Sequence, residues 1–263
     1  MNALTLLLAD SMTMFRRNLL HARRYPTVTL FVIGIPVVLY LLFVYVFGAA
    51  LGTGIAGVEG GRDAYIAYVT PGILLLAIAG GAQGTAIAVA MDMHEGIVAR
   101  FRTMSIPRAA VLAGQVGGSV VQAMLALLVV LAVAMVTGFR PTTGVGGVIA
   151  ALGIIALVSF ALTWLTVALG LASSSVESAS NTPMFLILLP FFGSGFVPTE
   201  TMPDVVRWFA EFQPFTPIIE TIRGLLLGTP IGWSGAIAIG WCAVITLGSY
   251  LWAMRLYNRD PVN

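Results

Sequence analysis

Residues 145–172 read VGGVIAALGIIALVSFALTWLTVALGLA and contain no charged side chain. An α-helix needs about 20 predominantly apolar residues to cross the hydrocarbon core of a bilayer. This stretch is longer than that limit, so it predicts a helix that crosses a membrane.

The rest of the chain has the same character. Of its 263 residues, 59% are apolar and only 9% are charged, whereas about 25% of residues are charged in soluble domains. A soluble fold of this size could not bury so much apolar surface, but a bilayer can receive it. Because no shift in composition marks a second domain, we predict a single transmembrane domain over residues 1–263.

Further apolar runs complete the predicted spans, at residues 27–48, 71–91, 109–137, 182–197 and 233–254. The second span could begin nearer Tyr65, and the fifth is short and interrupted by Pro190, Gly193 and Gly195. No Asp, Glu, Arg or Lys lies inside any run. We therefore predict an all-α polytopic membrane protein with six transmembrane helices.

The distribution of arginine gives the orientation, because cytoplasmic loops carry the excess of Lys and Arg. Four arginines fall on one side of the predicted spans: Arg62, Arg140, Arg207 and Arg223. Nine fall on the other: Arg16, Arg17, Arg23, Arg24, Arg100, Arg102, Arg108, Arg255 and Arg259. We therefore expect a multi-pass protein of the cell membrane, in a bacterial plasma membrane, with both termini cytoplasmic.

The basic residues also bear on chemistry. All 13 are Arg, so the chain lacks the Lys of a Walker A motif, and any ATP that drives it must be hydrolysed by another chain. The net charge of +2 is too small to indicate nucleic-acid binding. We find no nucleophile–base pair and no metal-ligand spacing, so we predict no catalytic residue, metal or cofactor in this chain.

Residues 1–26 are predicted to form a cytoplasmic elbow helix that lies along the membrane surface. At about 100° per residue, one face is apolar, with Leu4, Leu8, Met12, Phe15 and Leu19. The opposite face carries Asp10, Arg17, His21 and Arg24. The helix is a membrane anchor, or it also contacts a cytoplasmic partner, and the pattern allows both.

Residues 92–108 read DMHEGIVARFRTMSIPR and form the most strongly charged segment expected inside the cell. Ile97, Phe101 and Met104 recur at helical spacing, which predicts a short amphipathic helix. Such a helix between two spans is suited to docking in a groove of another protein. A solvated cytoplasmic loop with the usual excess of positive charge would have the same sequence pattern.

Residues 198–230 are predicted to form an extracytoplasmic re-entrant segment before the last span. Prolines divide this region and the span before it, at Pro190, Pro198, Pro203, Pro214 and Pro217. Two amphipathic pieces follow, at residues 204–212 and 218–227. Non-helical backbone at membrane depth needs cover by protein or water, which suits an exit gate, although Trp208 and nearby Phe residues could equally form an interfacial aromatic belt.

Three stretches together resemble the permease subunits of ABC type-2 exporters of the daunorubicin-resistance type. They are EGIVARFRTMSIPRAAVLAGQ (95–115), VESASNTPMFLILLPFFGSGFVPTETMP (176–203) and QPFTPIIETIRGLLLG (213–228). The resemblance covers essentially the whole chain, because six spans after an N-terminal elbow are also the layout of that family.

The resemblance implies a permease that moves a drug, antibiotic or lipid out of the cell. It would pair with a second copy of itself or a paralogous permease, and dock on two cytoplasmic ABC ATPase subunits that bind ATP and Mg. The segment 92–108 would be the coupling helix, with the expected ATPase contacts Glu95, Gly96, Arg100, Phe101 and Arg102. The expected substrate path or gate comprises Pro190, Gly193, Gly195, Phe196 and Pro198.

Two other classes are weaker interpretations of the sequence. A secondary transporter driven by an ion gradient usually places carboxylates or His near mid-membrane, and the six runs have none there. A passive channel or non-transporting assembly protein explains neither segment 92–108 nor the proline-broken segment. The polar side chains Gln83, Gln115, Gln122 and Asn181 favour hydrogen bonds between helices over cargo binding.

Overall fold

The computed structural model describes residues 26–48, 61–96 and 108–258, and within them it has helices and turns but no β-strand. In this part of the chain, four helices are long and apolar enough to cross a membrane. They are α2 (Gly61–His94), α3 (Arg108–Val136), α4 (Val145–Ala172) and α9 (Ser234–Asn258). The predicted all-α membrane fold is therefore confirmed, while the elbow helix falls almost wholly outside the described residues.

The other two predicted spans have a different form. The first corresponds to α1 (Pro26–Leu42), which continues into a π-helical turn (Phe43–Phe47). The fifth corresponds to short pieces, namely α5 (Val176–Asn181), α6 (Met184–Leu188) and a 3-10 turn (Leu189–Phe192). The pieces of the fifth are each too short to cross a bilayer alone, so the count of six spans stays a prediction.

Proline and serine explain why the region of the fifth span is broken. The Ser175 hydroxyl caps the start of α5 by accepting from the backbone N–H of Ser178, at 3.1 Å. Pro183 and Pro190 cannot donate a backbone hydrogen bond, and the chain changes conformation at both. The interruption predicted at Pro190 and Gly193 agrees with this arrangement.

The central helix of the bundle is α2. In its most apolar stretch 67% of the residues are buried within the protein, against 33% in α3, 33% in α4 and 22% in α9. It begins ten residues before the predicted span, because Arg62 and Asp63 occupy its first turn, where a charged residue can lie beyond the hydrocarbon. The bounds of α4 match the predicted span at 145–172.

The two ends of the bundle are distinguished by which loops meet there. At the end that we call distal, Thr142 donates its backbone N–H to Leu226 at 3.0 Å, so residues 138–144 lie beside the last turn of α8 (Phe215–Leu227). The proximal end contains the last turn of α2 and the start of α5, where His94 acts electrostatically on Glu177.

Two short α-helices lie at the distal end, after a 3-10 turn at Thr199–Thr201. The first, α7 (Asp204–Phe212), has a single buried residue, Ala210. The second, α8, is largely buried and packs against α2, α4 and α9. Its 13 residues would extend about 20 Å, which is less than the thickness of a bilayer. The re-entrant form of this segment stays a prediction.

Candidate functional site

The residues predicted to form a gate lie in residues 189–198, which we call the break segment. Pro190, Gly193, Gly195 and Phe196 are buried there, and the backbone N–H of Gly193 donates to the Pro190 carbonyl at 3.3 Å. The structure therefore brings four of the five together in one turn. Pro198 differs, because it is only half-buried and begins the following 3-10 turn.

The backbone of the break segment lies directly against α2. A Cβ atom added at Gly72 would be 2.5 Å from the carbonyl oxygen of Gly195 and 2.8 Å from its Cα. Ordinary van der Waals contacts between carbon atoms are about 3.5–4.0 Å, so no side chain fits at this position. Glycine at both Gly72 and Gly195 is what allows the two backbones to touch.

A phenylalanine cluster joins α1 to the break segment. The ring of Phe196 stacks on that of Phe191, with centroids 4.5 Å apart and planes 8° apart. It also contacts Phe43, the first residue of the π-helical turn, at 4.6 Å. Such turns are frequently found at functional sites, and this one places α1 in direct contact with the predicted gate.

Side chains near and within α8 supply partners for carbonyl groups of the break segment. Gln213 donates from Nε2 to the Leu189 carbonyl at 3.1 Å, and Arg223 donates from Nη2 to the Ser194 carbonyl at 2.7 Å. The same Nη2 reaches the Tyr68 carbonyl of α2 at 3.1 Å. Because backbone groups away from water need such partners, these donors explain how a non-helical turn is tolerated inside the bundle.

Arg223 is the most connected side chain of this region. Its side chain is 8% exposed and pairs through Nη1 with Glu220 at 2.6 Å. Its guanidinium carbon lies 3.9 Å from the centroid of the Tyr68 ring, a cation–π geometry. Its Nε and the Ser194 hydroxyl are buried without a hydrogen-bond partner among the described residues. A charged group this deeply buried is costly unless it is paired, and Arg223 is paired on three sides.

Sequence reasoning did not single out several residues that complete this site, namely Phe43, Tyr68, Gly72 and Arg223. For Arg223 a signal was present, because IIETIRGLLL places an arginine inside an otherwise apolar stretch. For Gly72 and Phe43 there was none, since both look like ordinary members of apolar runs. Their importance comes from contacts with residues more than 100 positions away.

At the proximal end, the described residues of the predicted coupling helix are those at the end of α2 and Arg108, the first residue of α3. Glu95 is exposed, and Gly96 adopts a positive φ of 71°, a backbone conformation that favours glycine. Gly96 therefore ends α2, a role separate from the predicted contact. Arg100, Phe101 and Arg102 lie outside the described residues, so the coupling site stays a prediction.

One polar side chain of α2 is hydrogen-bonded to α5 near this end. Gln83 donates from Nε2 to the Ser180 carbonyl at 2.6 Å, which confirms its predicted role between helices. The pKa of the exposed Glu177 carboxyl is lowered, first because its own backbone N–H donates to it and then because the Ser175 hydroxyl does. The Ser175 hydroxyl thus fixes the start of α5.

Comparison with known proteins decides the family. The model of the "ABC-2 type transporter" family matches residues 10–227. The chain belongs to this family. The matched part of this ABC-2 protein contains the break segment, α7 and all of α8, and it ends before α9.

Two relatives extend the comparison over nearly the whole ABC-2 chain. The daunorubicin resistance ABC transporter permease protein DrrB1 of Streptomyces coeruleorubidus is 27% identical over 250 residues, covering 95% of this chain and 86% of the relative. The probable doxorubicin resistance ABC transporter permease protein DrrC of Mycobacterium tuberculosis is 26% identical over 231 residues, covering 88% and 81%. This protein is therefore a multi-pass membrane protein similar to bacterial resistance permeases.

Proposed function

We propose that this chain is the membrane-spanning permease subunit of an ATP-driven ABC exporter. It moves a hydrophobic or amphipathic substrate out of the cell, and a separate subunit hydrolyses ATP. The family match over residues 10–227 carries the proposal, and the two resistance permeases that match along most of the chain support it.

In this proposal the chain crosses the bacterial plasma membrane six times, with an N-terminal elbow helix and both termini in the cytoplasm. The distal end is then the outer end, because it carries four arginines against nine on the proximal side. The first span is α1 with its π-helical turn, from Pro26 to Phe47, a length that suffices for a bilayer. The fifth is the broken stretch that ends in the break segment.

Coupling to ATP occurs at the proximal end. The segment 92–108 docks on the ATPase through Glu95, Gly96, Arg100, Phe101 and Arg102. The exposure of Glu95 and the turn at Gly96 support this, because α2 ends there with the Glu95 side chain accessible to a partner. ATP and Mg are bound by a pair of ABC ATPase subunits, and the permease pairs with a second copy of itself or a paralogue.

The substrate class follows from the absence of ionised groups in the apolar runs and from the names of the relatives. Drugs such as daunorubicin or doxorubicin, other antibiotics and lipids all match these apolar surroundings. The substrate leaves past the break segment, where Pro190, Gly193, Gly195, Phe196 and Pro198 form the gate. The packing of this turn on α1, α2 and α8 supports such a gate, because a small shift of one element would open it.

Transport by inside-out vesicles tests the proposal. The chain is co-expressed with an ABC ATPase from the same genome, and daunorubicin uptake is followed by fluorescence quenching. We expect uptake that requires ATP and disappears when the Walker A Lys of the ATPase is replaced. Uptake that ignores ATP but collapses with a proton or sodium ionophore would instead establish a secondary transporter and contradict the proposal.

The coupling site needs its own variant. Charge reversal with Glu95→Lys and Arg100→Glu should abolish ATP-dependent uptake while the amount of protein in the membrane stays the same. The matched control reverses the distal pair, Arg207→Glu with Glu211→Lys, and should transport normally. Full uptake by the proximal variant would remove the coupling assignment.

A further inference from the structure

One guanidinium group holds together three parts of the chain that are distant in sequence. From α8, Arg223 donates through a single nitrogen to the Ser194 carbonyl at 2.7 Å and to the Tyr68 carbonyl at 3.1 Å. The first carbonyl belongs to the break segment and the second to α2. No other side chain of the described residues is recorded with hydrogen bonds to both of these elements.

Arg223 also lies next to the point where the backbones of the break segment and α2 come closest. Gly195, the residue after Ser194, is the one whose backbone touches Gly72. Gly72 follows Pro71, which lacks the N–H that would otherwise bond to the Ala67 carbonyl, so the α2 hydrogen-bond ladder is open next to Tyr68. Arg223 therefore donates to α2 beside its opened turn.

We propose that Arg223 is a positioning residue of the gate, which holds residues 193–196 closed against α2 through the Ser194 and Tyr68 carbonyls. This rests on the proposed function, because it assigns how the exit is kept shut between transport cycles. Opening separates the Ser194 carbonyl from Arg223 while the pair with Glu220 persists on α8. Glu220, which is 38% exposed, keeps the guanidinium paired when the break segment moves away.

Thiol labelling measures this closure without any transport. Cys242 is the single cysteine, so Cys242→Ala with Ser194→Cys leaves one thiol in the break segment. Ser194 suits this use because it is buried and its hydroxyl has no partner to lose. The full-length chain is labelled with a polar maleimide in membranes opened by mild detergent, so that the result does not depend on orientation.

Three substitutions at position 223 distinguish the hydrogen bonds that the side chain donates from the space that it fills. Arg223→Met keeps the length of the side chain but removes every donor, and it should raise the labelling rate at least tenfold. Arg223→Lys keeps charge and donors, and its rate should stay within about threefold of the parent. If the Met variant fails to accumulate, Arg223→Gln replaces it; its shorter side chain cannot reach the Ser194 and Tyr68 carbonyls together, so it should label at least threefold faster than the parent.

The matched control is Arg207→Met on α7, where an arginine makes a similar ion pair in an exposed position. Its labelling rate should equal that of the parent. A neutral variant at 223 that labels like the parent would overturn the proposal, and so would a Lys variant as fast as the Met variant or an equal increase in the α7 control. Because labelling needs neither ATP nor substrate, its result stands apart from the vesicle experiment on the proposed function.

Discussion

The two short distal helices make the same kind of ion pair in opposite surroundings. On α7, Arg207 pairs with Glu211 at 2.7 Å, and the two side chains are 46% and 45% exposed. On α8, Arg223 pairs with Glu220 at 2.6 Å, but Arg223 is only 8% exposed. Exposed pairs contribute little to stability, whereas a buried charge that loses a partner is strongly destabilising.

The difference lies in what else each arginine reaches. Among the described residues the Arg207 side chain donates to Glu211 of its own helix, so we expect its removal to disturb α7 alone. Arg223 reaches the break segment and α2, so removing it leaves the buried Ser194 carbonyl without its donor and takes one donor from the Tyr68 carbonyl. The two arginines therefore differ in reach: contacts within one helix stabilise that helix, whereas contacts between elements determine how the elements are held together.

Replacing the two arginines in the same way gives the largest expected contrast. Arg223→Met should lower the free energy of unfolding by about 3 kcal/mol, because hydrogen bonds to charged groups contribute about 1.5–3 kcal/mol each and a buried acceptor is left unpaired. ATP-dependent uptake should fall at least tenfold. Arg207→Met should change neither quantity measurably. Chemical denaturation in micelles and the vesicle assay check both, and similar losses in the two variants would erase the contrast.

The contact between the break segment and α2 can also be disrupted by a substitution in α2. Gly72→Ala places a methyl group 2.5 Å from the Gly195 oxygen, and overpacking of this kind costs about 1–3 kcal/mol. The break segment must then move away from α2, which should raise labelling at position 194.

The control for that change is on the same helix. A Cβ at Gly80 would meet no atom within 4 Å, so Gly80→Ala should leave the unfolding midpoint unchanged or raise it, since Ala favours a helix by up to about 1 kcal/mol over Gly. If Gly72→Ala were as stable as Gly80→Ala, the contact between α2 and the break segment would not be as tight as its geometry indicates.

The contrast also marks how far the sequence predicts the structure. Long runs without charge are sufficient to locate α2, α3, α4 and α9, because a bilayer demands length and apolarity from each helix independently. The bounds of α2 were less accurate, since the apolar run begins at Pro71 while Arg62 and Asp63 are part of the same helix. Helix α5 was missed, because six residues carry too little periodicity to be recognised.

The broken turn of the break segment is predictable only in part, for a related reason. Proline and glycine predict that a helix breaks, so Pro190, Gly193 and Gly195 could be named from the sequence. What covers the broken backbone depends on residues brought close by folding, such as Tyr68 and Arg223. No local pattern encodes that pairing.

A smaller effect is expected at the junction of the two distal helices. Gln213→Leu removes the donor to the Leu189 carbonyl and should lower the free energy of unfolding by about 1 kcal/mol, the net contribution of one hydrogen bond. ATP-dependent uptake should also fall, but the loss should be several times smaller than the loss in Arg223→Met. The exposed neighbour Glu211→Gln serves as control and should behave as the parent in both assays. If the Gln213 variant were as inactive as Arg223→Met, the bond to the Leu189 carbonyl would be the main contact that holds the break segment in place.

The smallest effect is expected on the exposed face of α7. Trp208 is 64% exposed, and its recorded ring contact is with Phe212 of the same helix, at 5.2 Å. Trp208→Ala should therefore leave the unfolding midpoint unchanged and uptake within twofold of the parent, because no other element of the described structure loses an aromatic contact. Measuring uptake over a range of daunorubicin concentrations sharpens the result. A tenfold rise in the half-saturating concentration would show that α7 contacts the substrate. The two helices would then have different functions, because α8 would hold the gate closed and α7 would bind the substrate that passes through it.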